Sequence, residues 1–326
     1  MTRPLLSLSL DADNQWAYMK THGDAGWETF PSYLERLSEV ALERLRAHGL
    51  RITFFVVGQD AAIDANGPAL RALAQAGHEI GNHSFHHEPW LHTRSDTQIA
   101  EEIQSAEQAI LRATGAQTRG FRGPGFSLSR TILRVLAQRD YLYDASTFPT
   151  FLGPLARAYY FFHSRGLSPA EREQRKQLFG SLRDGFRPLD PYVWKLPNGK
   201  SLLEIPVTTM PVFRVPIHLS YLHWLAGFSR MLARAYLRSA IALCRATRTQ
   251  PSFLLHPLDL LGKDHVQGLE FFPGMQRTTA DKLVLFDEVL TRLRRSFHIV
   301  SMEEHAQALR AEPRIGRASL EALAQL

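Results

Sequence analysis

Short apolar runs and longer amphipathic stretches alternate along most of the chain. Residues 5–10 (LLSLSL) read as a strand that ends at Asp11. Residues 52–57 (ITFFVV) are continuously apolar and β-rich, as in a strand buried on both faces of a parallel sheet. Between them, 31–50 carries Tyr33, Leu34, Leu37, Val40, Ala41 and Leu45 at helical spacing, with Gly49 as a stop. The pattern continues with a helix at 65–76, a short strand at 78–82 and a helix at 95–114 that turns Glu101, Glu102 and Glu107 to solvent. A strand end at 120–122, a helix at 127–139 and a strand at 141–145 follow. Later strands are predicted at 202–207, 252–255 and 298–301, and helices at 219–246 and 280–293. Strands alternating with helices imply βαβ units and a parallel sheet. Seven or eight such units in about 300 residues predict an α/β fold that closes as a (β/α)7–8 barrel. Residues 146–200 break the rhythm. They are rich in Phe, Tyr, Arg and Pro, have no clear strand, and read as a long loop insertion within a single 1–326 domain.

Composition narrows the class. The 326 residues are 44% hydrophobic and 21% charged, which excludes a disordered chain. The only cysteine, Cys244, excludes an intramolecular disulfide framework and a cysteine-rich zinc site. Fourteen histidines offer the other common metal ligand. The first apolar run is too short for a secretory signal and meets Asp11 and Asp13 at once, and no stretch approaches the roughly 20 uncharged apolar residues of a membrane span. A cytoplasmic location is therefore expected. Lys and Arg exceed Asp and Glu by 38 to 32, a net charge of +6, but they are dispersed, so no nucleic-acid partner is expected.

The residues suited to chemistry fall where strands end, which is where α/β sheets and barrels carry their sites. Asp11 and Asp13 follow the first strand, His83 and His87 the third, Arg122 the fourth. Asp144 lies near the end of the next, and His256 closes 252–255. One strand-terminal charge is often a helix N-cap; five at five strand ends are not readily assigned to capping. His83 and His87 stand at i, i+4, so one helical turn would aim both at one ion. Two His and a carboxylate from Asp13 leave coordination positions open for water and substrate. Asp11, two residues earlier on extended backbone, points to the same side and could act as a base. His86 and His92 read as structural or rim residues.

Asp11-Ala-Asp13, His83-Ser-x-x-His87, Arg122-Gly-Pro124, Asp144 and Leu255-His256-Pro257 resemble, in order and approximate spacing, the polysaccharide deacetylase family (the NodB homology domain, carbohydrate esterase family 4). The resemblance covers about 5–145 and 200–305. It implies a distorted (β/α) barrel and metal-dependent hydrolysis of an N-acyl group, usually N-acetyl, from an amino sugar. By position it implies Asp13, His83 and His87 as metal ligands and Asp11 as general base, held ionised by Arg122. His256 would be the general acid, the Gly125 N–H part of an oxyanion hole, and Asp144 would orient His256 or a neighbour. Two His and one carboxylate suit Zn2+, with Co2+, Ni2+ and Fe2+ fitting the same ligands. Ala12 separates the aspartates, Asn14 follows them, and the aromatic after the Arg-x-Pro element is displaced to Phe126. The Asp-x-Asp form resembles the intracellular branch, which includes enzymes acting on non-polymeric amides.

The expected substrate is an N-acetyl or N-formyl amino sugar or related amide, soluble or lipid-linked at the cytoplasmic face of the membrane. Arg230, Arg234 and Arg238 recur every four residues beside Trp224, Phe228, Met231 and Leu232, and 151–162 is strongly aromatic. Such basic amphipathic segments lie at membrane interfaces when their apolar face is free, and otherwise form barrel helices with solvated arginines. The strand and loop at 204–211 could shape a substrate groove. The competing classes are a small non-sugar amide hydrolase and an inactive metal-binding barrel that serves as a binding module.

Overall fold

The computed structural model describes residues 3–155, 182–196, 199–311 and 316–319. The strands are β1 (Leu5–Asp11), β2 (Thr53–Val56), β3 (Glu79–Asn82), β4 (Gly120–Phe121), β5 (Tyr143–Asp144), β6 (Tyr192–Lys195), β7 (Ser201–Glu204), β8 (Ser252–Leu255), β9 (His298–Val300) and β10 (Gly316–Ser319). The helices are α1 (Gln15–His22), α2 (Leu34–Ala47), α3 (Gly58–Ala62), α4 (Gly67–Gln75), α5 (Asp96–Thr114), α6 (Arg130–Gln138), α7 (Leu219–Phe228), α8 (Arg230–Thr247), α9 (Thr279–Ser296) and α10 (Met302–Arg310). They form the expected α/β alternation.

The strands make one sheet in the order β10-β6-β7-β5-β4-β3-β2-β1-β8, with β9 paired to β1. All pairs are parallel except β6 with β7. The sheet curls, and its last seam is made by hydrogen bonds rather than by a strand pair. Beyond β7 the chain runs on past β5, with Ile205 N–H on Asp144 C=O at 2.9 Å. It reaches β8 where Thr208 N–H donates to Ser252 C=O at 3.0 Å and Ser252 N–H to Thr208 Oγ1 at 2.8 Å. The result is a distorted (β/α)-type barrel.

Alternation along β1 explains both layers. Leu6, Leu8 and Leu10 face outward with Phe54 and Val56 into the main core, where α2 adds Leu34, Leu37 and Ala41 and α9 adds Phe286, Val289 and Leu290. Ser7, Ser9 and Asp11 carry the other face. The small serines leave interior volume for a fully buried Arg122, whose Nη1 donates to Ser9 Oγ at 2.9 Å and whose guanidinium carbon lies 4.3 Å from the centre of the Phe55 ring. Phe55, Tyr143, Leu203, Ile205 and Met302 fill the rest.

Three sequence expectations need correction. The helix expected at 219–246 is two, broken at Ser229, which takes extended backbone (φ −161°) and caps α8 by accepting from Leu232 N–H. Residues 146–200, read as strandless, contain β6, whose inward Trp194 is buried against β7. The aromatic stretch at 151–162 lies largely outside the described residues. Glu102, expected in solvent, is largely covered and bonds a loop beside the site. Among the described residues no helix is long and apolar enough to cross a membrane.

Candidate metal centre

Parallel register gathers the site. Asp11 pairs with Phe55, Val56 with Asn82 and Asn82 with Phe121, so the exits of β1 to β4 are level. Ladder bonds carry this one residue further: His83 N–H donates to Val56 C=O at 3.0 Å, and Arg122 N–H to Asn82 C=O at 3.1 Å. Leu10 pairs with Leu255, so Asp11 and His256 stand at the next level of adjacent strands.

Asp13, His83 and His87 converge, their candidate ligand atoms all within 4.8 Å of one another. His83 Nε2 lies 3.1 Å and His87 Nε2 3.0 Å from Asp13 Oδ1, and all three residues are buried. Burial pushes the Asp13 carboxyl up, but His87 and His83 outweigh it and hold it well below the usual carboxylate range.

The two histidines do not share a helical turn, contrary to the spacing argument. His83 leaves a strand, and the chain reverses through left-handed backbone at Ser84 (φ 60°) and His87 (φ 50°). Such φ values are costly for these residues and persist only where surroundings fix them. Here Glu102 Oε2 accepts from Phe85 N–H and His86 N–H, each at 3.0 Å, Ser84 N–H donates to Asn82 Oδ1, and Gly58 N–H donates to Ser84 C=O. His86 pairs with Glu102 at the surface, and His92 bonds Ser127 Oγ at 2.8 Å.

Asp11 and Arg122 form a buried ion pair, Nη1 to Oδ1 2.6 Å, while Nε donates to Ala145 C=O. Gly125 turns through φ 56°; a Cβ there would meet Pro89 Cβ at 2.9 Å. His256 is partly open and bonds Ser220 Oγ through Nδ1 at 3.1 Å, and its backbone N–H donates to Asp259 Oδ2 at 2.8 Å. Asp144 does not reach His256. It accepts from Ser146 Oγ at 2.6 Å, and Ser146 in turn accepts from Gly123 N–H at 2.8 Å. Its register partner Glu204 is a second buried carboxyl, pushed well above its ordinary value by burial and by Asp144. Asp144 thus supports the 122–125 loop, and Ser220 with Asp259 hold the histidine.

Sequence reasoning passed over several neighbours. Asp259 stands three residues after His256, a signal available in the sequence. Tyr18 sits on α1, a helix the pattern did not predict. Its Oη is buried without a hydrogen-bond partner among the described residues, and burial, then Asp13, Tyr33, Asp259 and Asp11, raise the phenol well above its usual value. Asp60 accepts from Asn14 Nδ2 at 2.7 Å and Trp16 Nε1 at 2.9 Å, and burial pushes it up to about 7.

The donor set fits a divalent cation. His83 Nδ1 is 2.6 Å from Arg122 C=O, which fixes the proton there and turns the Nε2 lone pair to Asp13. A buried carboxylate oxygen thus faces two imidazole nitrogens at one end of the barrel, with the Asp11–Arg122 pair beside it.

Comparison with known proteins adds to this: residues 20–143 match the polysaccharide deacetylase family. The matched stretch holds His83, His87 and Arg122. A peptidoglycan-N-acetylmuramic acid deacetylase of Bacillus subtilis is 37% identical over 76 residues, 23% of this chain and 28% of that protein. A chitooligosaccharide deacetylase of Azorhizobium caulinodans is 35% identical over 96 residues, 29% of this chain and 44% of that protein. The matches thus span less than half the length of these relatives. In three dimensions the chain is similar to a Mycobacterium smegmatis protein described as a polysaccharide deacetylase, with TM-score 0.63, 18% identity, and coverage of 98% of this chain and 94% of that one. At that identity the likeness shows the fold.

Proposed function

We propose that this protein hydrolyses the N-acyl group, acetyl or formyl, of an amino sugar or closely related amide, with a divalent cation, Zn2+ first, held by Asp13, His83 and His87. The observation that carries the reading is the convergence of that triad with the Asp11–Arg122 pair and His256 at one end of the barrel. The relatives' names, two deacetylases of N-acetylated sugars, support the same substrate class.

A cation there would polarise the amide carbonyl and ease deprotonation of the attacking water. Asp11 receives that proton, its Oδ1 neutralised by Arg122. Water oxygen bonds to the carbonyl carbon, the C–N bond breaks, and His256 delivers a proton to the departing nitrogen. The Ser220 hydroxyl at Nδ1 leaves Nε2 as the face that meets substrate. The Gly125 N–H contributes to stabilising the oxyanion. Asp144 acts behind this loop, through Ser146 and Gly123, rather than on the substrate. The whole chain acts as one catalytic unit, with 146–200 inserted in it, in the cytoplasm. The lipid-linked form of the substrate would require a membrane-facing surface beside the site.

The test is to incubate metal-loaded protein with N-acetyl and N-formyl amino sugars, free and lipid-linked, and with non-sugar N-acyl amides, and to detect acetate or formate. Release by wild type and none by Asp11→Asn is expected. Full activity in Asp11→Asn overturns the mechanism, and release only from non-sugar amides overturns the substrate class.

A further inference from the structure

Between residues 205 and 258 the chain has six arginines and no aspartate or glutamate. That stretch carries +6, equal to the net charge of the whole protein, so the rest of the sequence is balanced. It contains α7 and α8, and the corner where they meet at Ser229 is apolar on the outside. Phe228 is 71% exposed, Met231 77%, Leu232 48% and Trp224 45%. Single exposed apolar residues are ordinary; four large ones within nine residues form a patch. Arg230 and Arg238 flank it without a carboxylate partner among the described residues, whereas Arg234 is taken by Glu288 at 2.8 Å.

The patch is continuous with the site. His256 lies 6.0 Å, ring centre to ring centre, from His218; His218 lies 6.5 Å from Tyr221. Tyr221 stacks on Trp224 at 5.4 Å, and Trp224 meets Phe228 at 5.0 Å. A row of rings therefore runs from the histidine at the end of β8 to the most exposed aromatic of α7. Ser220, on the same helix, holds His256.

We propose that the α7–α8 corner docks the protein on an anionic lipid bilayer, with Trp224, Phe228, Met231 and Leu232 in the interface and Arg230 and Arg238 on lipid phosphates. Apolar side chains next to cations suit the headgroup boundary, where rings and aliphatic groups leave water while guanidinium groups meet anionic headgroups. A chain segment without acidic residues, with Arg230 and Arg238 beside the exposed rings, complements a negative membrane. Docked this way, the ring row leads from the bilayer to the site, so a lipid-borne amide reaches it without leaving the membrane. That last step rests on the catalytic reading of His256; the docking does not.

The test is co-sedimentation of the full chain with phosphatidylcholine vesicles with and without phosphatidylglycerol. Binding is expected only with the anionic lipid, falling as salt is added. Arg230→Gln/Arg238→Gln should weaken it about 25-fold, from about fivefold per arginine. Phe228→Ser/Met231→Ser should abolish it at unchanged Tm, since both side chains are exposed. Asp11→Asn should bind as wild type does. Vesicle binding by a wild type that releases no acyl group from any substrate supports docking and counts against catalysis. No binding to anionic vesicles at low salt, or binding that survives Phe228→Ser/Met231→Ser, overturns the proposal. So does a concentration-dependent dimer that the same double variant dissolves, because the patch would then be covered by a second copy.

Discussion

His83 owes its tautomer to a neighbour 39 residues away: Nδ1–H donates to the carbonyl of Arg122, and Nε2 is left facing Asp13. The same arginine neutralises Asp11, so one buried residue supports both halves of the proposed chemistry. Below it, Asp144 and Glu204 form a second acidic pair, facing each other across β5 and β7. Burial and the neighbouring Asp144 raise Glu204 well above its ordinary value of 4.5. A carboxyl with a raised folded pKa contributes stability that is fully present below its unfolded pKa and is lost as pH rises through the folded value. Wild-type Tm should therefore fall as pH rises above about 5. Glu204→Gln keeps an acceptor for Thr147 while giving up the one Trp194 Nε1–H uses; it removes the titration and should flatten that slope. Thermal melts across this range check it; identical slopes in the two proteins would contradict it. The chemistry-bearing residues were legible in the sequence because each ends a strand. Their supports were not, since Ser220, Glu102 and Glu204 act through contacts 36, 17 and 57 residues away.

At the scale of elements, α3 and α5 cross at a glycine. A Cβ on Gly58 would lie 2.7 Å from Ala106 Cα and 2.7 Å from the Phe85 ring, so no alanine fits without separating the helices or moving the loop that carries His87. Gly58→Ala should cost about 1–3 kcal/mol, the usual range for overpacking, and lower the metal affinity. Calorimetric unfolding and metal titration measure both, and an unchanged Tm would refute the crossing. Local pattern recovered the elements with strong periodicity: β1, β2, α2 and α5 fall within a few residues of their expected bounds. It failed where local signals were weak or misleading. The run 219–246 stays helical in character across Ser229, yet the hydroxyl there starts a new helix. The His83/His87 spacing imitates a helical turn, but bonds from Glu102 and Asn82 hold a loop instead. Strand β6 is only four residues long inside a stretch with no clear strand pattern, and its partner β7 is antiparallel in an otherwise parallel ladder.

For the whole molecule, the scarcity of cysteine agrees with a His/His/Asp site, which needs none. The +6 charge, which looked dispersed when read over the chain, resolves in the sequence between 205 and 258, with Arg230, Arg234 and Arg238 on the first turns of α8. The barrel sets the exits of β1, β2, β3 and β4 level, and loops complete the site from that end. The central claim is that Asp13, His83 and His87 hold a catalytic cation. Metal content and zinc affinity of purified wild type, Asp13→Ala, His87→Ala and Asp11→Asn test it most directly. The account predicts near-stoichiometric metal in wild type and Asp11→Asn, and its loss in Asp13→Ala and His87→Ala. Full metal retention in both of those variants would contradict it.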